Sequence, residues 1–410
     1  MRKSSIVSAG LRTVPLALSL LLSVGAMGQP APTPVPGTAT PATTIKDEVK
    51  PADKPADKPA DKPAAKPATG PTITVGDFTV KFGILLQPQA EFQQLQDPVG
   101  GDVAISNAYQ QNLFLRRTRF NLSGNVGKNI YYFLQTESSK IGYATGTTKT
   151  ISTGFQMQDA VVEWRIAKEF NLWGGLIYLP TSREALKSSA TEFMLDQSTW
   201  AYTATTALAG TGGRDTGFLA RGYFLKDHLE YRVGAFQGTR GSGSRNSFRT
   251  LARLQYNFFD VETYNLPAYP GAYLGTKKIL AIGAAADRQD DYRGYTVDAY
   301  ADIPTSFGSA EGTVTYQSLD GGNFNAALTK STILQLEAGF YLKSVKLGPW
   351  ARFEQRAYSN VTNKDEQRIL VGLNYYLKGH NFNAKLAYGR VDYDTGRDTN
   401  QFAFQLQAYY

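Results

Sequence analysis

The sequence predicts an all-β protein, a transmembrane barrel of sixteen antiparallel strands, on three observations. Apolar and polar residues alternate with a period of two from Thr72 to Tyr410. Short turns alternate with longer polar loops between the alternating segments. No segment after residue 28 approaches the roughly 18 consecutive apolar residues that a spanning helix needs. A strand points successive side chains to opposite faces, so each segment has one oily and one polar face. In a closed barrel the oily face meets lipid and the polar face lines a wet lumen.

The first strand sets Phe82, Ile84, Leu86, Ala90 and Phe92 against Gln87, Gln89, Glu91 and Gln93. The next two form a hairpin from Asn112 to Ser138, turning at Gly127-Lys128-Asn129. Its first arm sets Phe114, Thr118, Phe120, Leu122 and Val126 against Arg117, Arg119, Asn121, Ser123 and Asn125. Ala160, Val162 and Trp164 then oppose Asp159, Val161 and Glu163, and a fifth strand covers Asn171 to Leu179. A sixth and seventh flank Lys226-Asp227-His228, and an eighth covers Arg249 to Phe259. The ninth lies near Ile279 to Ala286. Six more alternating segments carry the pattern to the cleanest, where Phe402, Phe404, Leu406, Ala408 and Tyr410 oppose Gln401, Gln405 and Gln407. This last strand is expected to pair with the first and close the barrel.

Short turns are expected after the even-numbered strands and longer loops after the odd ones. The exception is the connection after the eighth, Asp260 to Thr276, which is long for a turn. Short turns belong on the periplasmic side of a bacterial barrel, so both termini are expected there. Aromatic residues such as Trp164, Phe258, Tyr375 and Tyr410 gather near strand ends, as they do at a membrane–water interface.

Residues 1–28 read as a signal peptide, with Arg2, Lys3 and Arg12 ahead of the apolar run Val14 to Val24 and small residues at Ala26-Met27-Gly28. Residues 29–72 are rich in Pro, Ala and Thr around the repeat Pro51 to Lys66. Proline at every fourth position forbids a helix, and without aromatic residues the segment cannot bury a core. It is expected to be a disordered periplasmic tail, a spacer or a contact to peptidoglycan, ahead of a barrel over 73–410.

The formal net charge is +8. Three basic and no acidic residues fall in 1–28, and six Lys against five acids in 29–70, which leaves +4 for the rest. The excess is half a property of the leader and tail, so no nucleic-acid partner is implied. The chain has no cysteine and two histidines, His228 and His380, both in expected turns. No catalytic residue, metal ligand or cofactor site is expected, and an enzyme is disfavoured.

One connection breaks the alternation, from Leu179 to Gly217. A loop of this length in a compact protein is usually functional or disordered. It opens with Pro180-Thr181-Ser182-Arg183-Glu184-Ala185-Leu186-Lys187-Ser188-Ser189 and closes with Gly213-Arg214-Asp215-Thr216-Gly217. With Arg116-Arg117-Thr118-Arg119-Phe120 and Tyr231-Arg232-Val233-Gly234-Ala235-Phe236-Gln237-Gly238, these pieces resemble the phosphate-selective porin O/P family over about residues 75–410. The resemblance implies an outer-membrane porin, commonly a homotrimer, that passes small anionic or neutral solutes. It also implies a third loop folded inward, with Arg183, Glu184 and Lys187 near the constriction. Where relatives often carry Glu-Arg-Ser, this chain has Asp196-Gln197-Ser198 and so lacks a basic group.

Charges of lumen parity can be read without the resemblance, and their totals nearly cancel. Arg117 and Arg119 belong to the hairpin. The sixth to eighth strands contribute Arg221, Arg232 and Arg253 with the one acid Glu230, whereas the tenth to twelfth contribute Asp298, Asp302, Glu311 and Glu337 and no base. This predicts a field across the pore rather than a uniform anion funnel. With Arg117, Arg119, Arg183 and Lys187 close to the constriction that the resemblance implies, a weakly anion-selective general channel with modest or no phosphate preference is expected. The alternative is a structural outer-membrane protein tethered to peptidoglycan by its tail.

Overall fold

The computed structural model describes residues 71–94, 109–145, 148–149, 154–203, 212–240, 247–263, 268–325, 328–359, 361, 364–394 and 398–410. The expected signal peptide and nearly all of the expected tail lie outside these residues.

The strands are β1 Thr72–Val75, β2 Phe78–Gln94, β3 Tyr109–Val126, β4 Ile130–Ile141, β5 Ala144–Thr145, β6 Thr148–Lys149, β7 Gln156–Ala167, β8 Phe170–Tyr178, β9 Arg214–Phe224 and β10 Leu229–Phe236. They continue as β11 Arg249–Asn257, β12 Ile279–Gln289, β13 Tyr292–Pro304, β14 Gly308–Asp320, β15 Ser331–Leu342, β16 Leu347–Tyr358, β17 Glu366–His380, β18 Phe382–Tyr393 and β19 Thr399–Tyr409. Two short helices, α1 Arg183–Leu186 and α2 Thr199–Thr203, interrupt the connection between β8 and β9.

Sixteen of these strands, β2 to β4 and β7 to β19, form one closed antiparallel barrel. Each expected strand is present. The closing pair is β19 with β2, in register from Gln401 opposite Gln93 to Tyr409 opposite Leu85. Closure removes the unpaired edge that an open sheet would expose. β1 folds back on the first residues of β2, and β5 and β6 form a small separate hairpin.

Burial follows the expected parity along most strands. Phe402 and Phe404 are exposed while Gln405 and Gln407 are buried. The oily face therefore points outward and the polar face inward, as lipid outside and water inside require. Leu406→Arg should accordingly cost about 2–4 kcal/mol near the bilayer midplane, and Tyr410→Arg at the strand end only about 0–1 kcal/mol. Urea unfolding in vesicles measures the difference; equal costs would contradict the depth assignment.

Two local expectations are corrected. The first is the face of Phe114. Phe114 is buried against Tyr143, and Leu113 is exposed in its place. The cause is a bulge: Gln87 pairs with Arg117 but Pro88 with Leu115, leaving Arg116 unopposed. Proline has no N–H to give the ladder, and a bulge is where a strand accommodates it. The extra residue reverses the parity of everything before Arg116. The second is the connection after β12. A longer loop was expected, but β12 and β13 join through Asp290 and Asp291 alone, with Asp290 at φ 50°. Asp tolerates the left-handed conformation that a two-residue hairpin needs.

Candidate functional site

The connection from β8 to β9 is the longest, and its described residues are almost wholly buried. Ser182 caps α1, its Oγ accepting from the Ala185 N–H at 2.9 Å. The chain then crosses to polar-face side chains on strands far round the barrel. The Gln407 amide donates to the Ala190 carbonyl at 2.8 Å. Lys385 Nζ donates to the carbonyls of Glu192 and Met194, each at 2.6 Å. Arg352 donates to the Asp196 carbonyl at 2.7 Å, and Gln317 to that of Ala201 at 3.1 Å. Arg119 donates to Ser189 Oγ at 2.6 Å. Phe193 packs where β15 and β16 carry Gly339 and Gly348. A Cβ on Gly339 would lie 2.4 Å from the Phe193 ring, so glycine there makes the room.

A second connection meets the first. The one from β11 to β12, long for a turn, carries Glu262, Tyr269 and Tyr273, all buried. Its backbone pairs with the other segment: Ser188 N–H donates to the Tyr269 carbonyl and Tyr269 N–H to the Leu186 carbonyl, both at 2.8 Å. Glu262 holds Arg183 through two hydrogen bonds of 2.7 and 2.8 Å. Arg183 also lies 3.9 Å from the Tyr300 ring centre and 4.8 Å from that of Tyr269. Burial alone would lower the Arg183 pKa; the Glu262 carboxylate holds it well above its ordinary value instead.

The charges expected near a constriction thus have internal partners. Arg183, Glu184 and Lys187 are 0 % exposed. Lys187 Nζ lies 2.8 Å from Glu184, 3.1 Å from Glu192 and 3.1 Å from Glu337. Arg221 and Arg232 share Glu230 at 2.7 and 2.9 Å, and Arg253 meets Asp298 at 2.7 Å. Arg119 pairs with Glu137. Arg117 and Arg116 likewise share one carboxylate, that of Asp196. Burial alone would raise the Asp196 pKa, but these two guanidinium groups hold it well below the usual carboxylate range.

Burial pushes the Glu192 pKa up to about 7, against the opposing pull of Lys187. A carboxyl whose pKa is raised on folding contributes stability that is full below its unfolded value and is lost as pH rises through the folded one. Current noise in single channels should therefore grow between pH 5 and 8, and Glu192→Gln should flatten that dependence. A wild-type trace unchanged over this range would contradict it.

Two cavities flank the buried segment. One, of about 580 Å³, is lined by Lys81, Arg119, Ser188, Thr191 and Tyr273 among others, with no carboxylate side chain. The other, of about 480 Å³, is lined by five basic side chains (Arg116, Arg117, Lys140, Arg352 and Arg368) against Glu91 and Asp196. Arg117 and Arg119 are two residues apart on β3, roughly 7 Å, so the cavities lie on either side of the stretch near residues 189–196. Sequence reading missed Arg116, which the bulge turns inward, and Asp196 and Glu262 as partners. Pro88 within a strand and the anomalous length of the β11–β12 connection were the available signals.

No curated protein matches the sequence. Among solved structures the chain is similar to three outer-membrane proteins. OmpF of Salmonella typhi in complex with daunomycin has 14 % identity and a TM-score of 0.54, covering 83 % of this chain and 100 % of that one. An anion-selective porin from Comamonas acidovorans has 12 % identity and a TM-score of 0.54, covering 81 % and 100 %. The loop L8 deletion mutant of OmpT from Vibrio cholerae has 12 % identity and a TM-score of 0.54, covering 82 % and 100 %. At these identities they show the fold. The family described as phosphate-selective porin O and P matches over residues 82–297, more than half of the chain. With a closed sixteen-stranded barrel and a polar interior, the chain is an outer-membrane porin that belongs to the phosphate-selective porin O and P family.

Proposed function

We infer that the third connection folds inward and sets the narrowest point of a weakly anion-selective general channel. The two cavities carry this reading. Solutes would pass between the buried segment and the β2–β3–β19 wall, from the basic cavity at Arg116, Arg117 and Arg368 past Arg119 to Lys81. Charges in a confined pore with low-dielectric walls are screened least, so this local excess outweighs the near-neutral total. The internally paired Arg183, Glu184 and Lys187 would then fix the segment's position, and Arg221, Arg232 and Arg253 would stiffen the opposite wall. Asp196 offsets one of the two arginines beside it, which favours modest anion preference over strong phosphate selectivity.

Assembly as a homotrimer follows the trimeric form described for OmpT of Vibrio cholerae. Residues 1–28 would direct export, and 29–70 would lie in the periplasm as a spacer. Incorporation into planar bilayers tests the reading. Stepwise, ohmic conductance with chloride favoured over potassium supports it; an electrically silent protein would refute it.

A further inference from the structure

The outer surface of the barrel carries a second polar feature. At the loop end of β12 and β13, Arg288 and Arg293 stand directly opposite each other in the ladder. Both are exposed and share the outward face with Ile282, Tyr295 and Val297. Like charges directly opposed across a strand pair are destabilising. No ion pair joins either arginine to a carboxylate among the described residues. Asp290 and Asp291 lie in the turn that joins the two strands, and Asp320 faces Arg293 from β14 and lies 3.9 Å from Lys330. By contrast Arg390, at the same end of β18, pairs with both Asp392 and Asp398.

Below the two arginines the barrel wall is hollow. A cavity of about 620 Å³ runs over the outer faces of β8 to β13, walled by Phe218 and Tyr295, floored by Ala220, Ala235 and Ala252, and reaching Arg288. Its height matters. From Leu280 to Arg288 a tilted strand climbs about 20 Å along the membrane normal. The apolar band of such barrels is roughly 25 Å tall. At the lower end of the band, Lys278 lies 4.0 Å from the Phe259 ring centre, an interfacial placement. Arg288 and Arg293 therefore stand where headgroups of the outer leaflet begin, above an apolar recess wide enough for acyl chains.

The geometry points to a binding site for a phosphorylated lipid of the outer leaflet: the headgroup phosphate bridges Arg288 and Arg293, and an acyl chain fills the recess beneath. Arginine offers paired donors that match phosphate oxygens, and an anion between the two guanidinium groups removes their repulsion.

Native mass spectrometry of the full chain in a non-ionic detergent tests this, with dioleoyl phosphatidic acid as the probe and dioleoyl phosphatidylcholine as the zwitterionic control. Wild type should retain phosphatidic acid preferentially. Arg288→Gln with Arg293→Gln should weaken retention on the order of tenfold. Ala252→Trp, which keeps both charges and fills the recess, should also weaken it, and Arg390→Gln should not. Three results would overturn the site: equal retention by the double variant and wild type, displacement of the lipid by millimolar inorganic phosphate, or loss of an oligomer in the double variant with lipid retention unchanged. The last would assign this face to contacts between copies of the chain.

Discussion

Glu262→Leu should turn a quiet channel into a noisy one. The substitution strands the Arg183 guanidinium, which is fully buried and keeps both of its strongest contacts with that carboxylate. Removing one partner of a buried pair costs about 3–5 kcal/mol, because the remaining charge has neither water nor counter-charge. The barrel itself is held by its ladder of backbone hydrogen bonds, so the loss should fall on the seat of the β8–β9 segment. Open-channel noise should rise several-fold and mean conductance should grow as the segment loosens. Arg183→Met combined with Glu262→Leu should restore a quiet trace, since replacing both charges by apolar groups is close to neutral. Packing against Tyr300 and Tyr269 would hold the methionine. Single and double variants with the same noise would show that the pair does not hold the segment.

Arg116→Glu combined with Arg368→Glu should reverse the channel's preference. Together they change the lining of the 480 Å³ cavity from five basic and two acidic side chains to three and four. The reversal potential in a salt gradient should move toward cations. The change should be larger at 0.01 M salt, where the Debye length is about 30 Å, than at 1 M, where it is about 3 Å. Arg183→Glu with Lys187→Glu should behave differently. Those side chains are buried against Glu262, Glu184, Glu192 and Glu337. A charge swap there adds like charges to an acidic cluster and should disturb the segment's seat before it tunes selectivity. An unchanged reversal potential in Arg116→Glu with Arg368→Glu would remove that cavity from the permeation path.

The strands were legible because lipid outside and water inside force a period of two on every spanning segment. Sixteen alternating runs stand in the sequence and sixteen barrel strands stand in the fold, closed between β19 and β2. What alternation cannot carry is a change of phase. Arg116 and Arg117 read as residues on opposite faces, yet the bulge opposite Pro88 brings both to Asp196. Partners across the interior were equally invisible. Arg183 and Glu262 lie 79 residues apart on two different connections, and no local pattern couples them. The unusual length of the β11–β12 connection signalled that it does more than turn the chain, but not what it touches. Sequence parity puts Arg221, Arg232 and Arg253 on the polar face, where all three are buried, but it does not show that Glu230 and Asp298 pair with them.

The reversal potential of the wild-type channel in a tenfold potassium chloride gradient, measured near 0.01–0.1 M salt, bears most directly on the proposed selectivity. The path past Arg116, Arg117, Arg119 and Lys81 predicts a modest potential of the sign set by chloride, shrinking as salt rises. A potential set by potassium at every salt concentration would contradict it, and would move the path to the acidic wall of Asp302, Glu311 and Glu337.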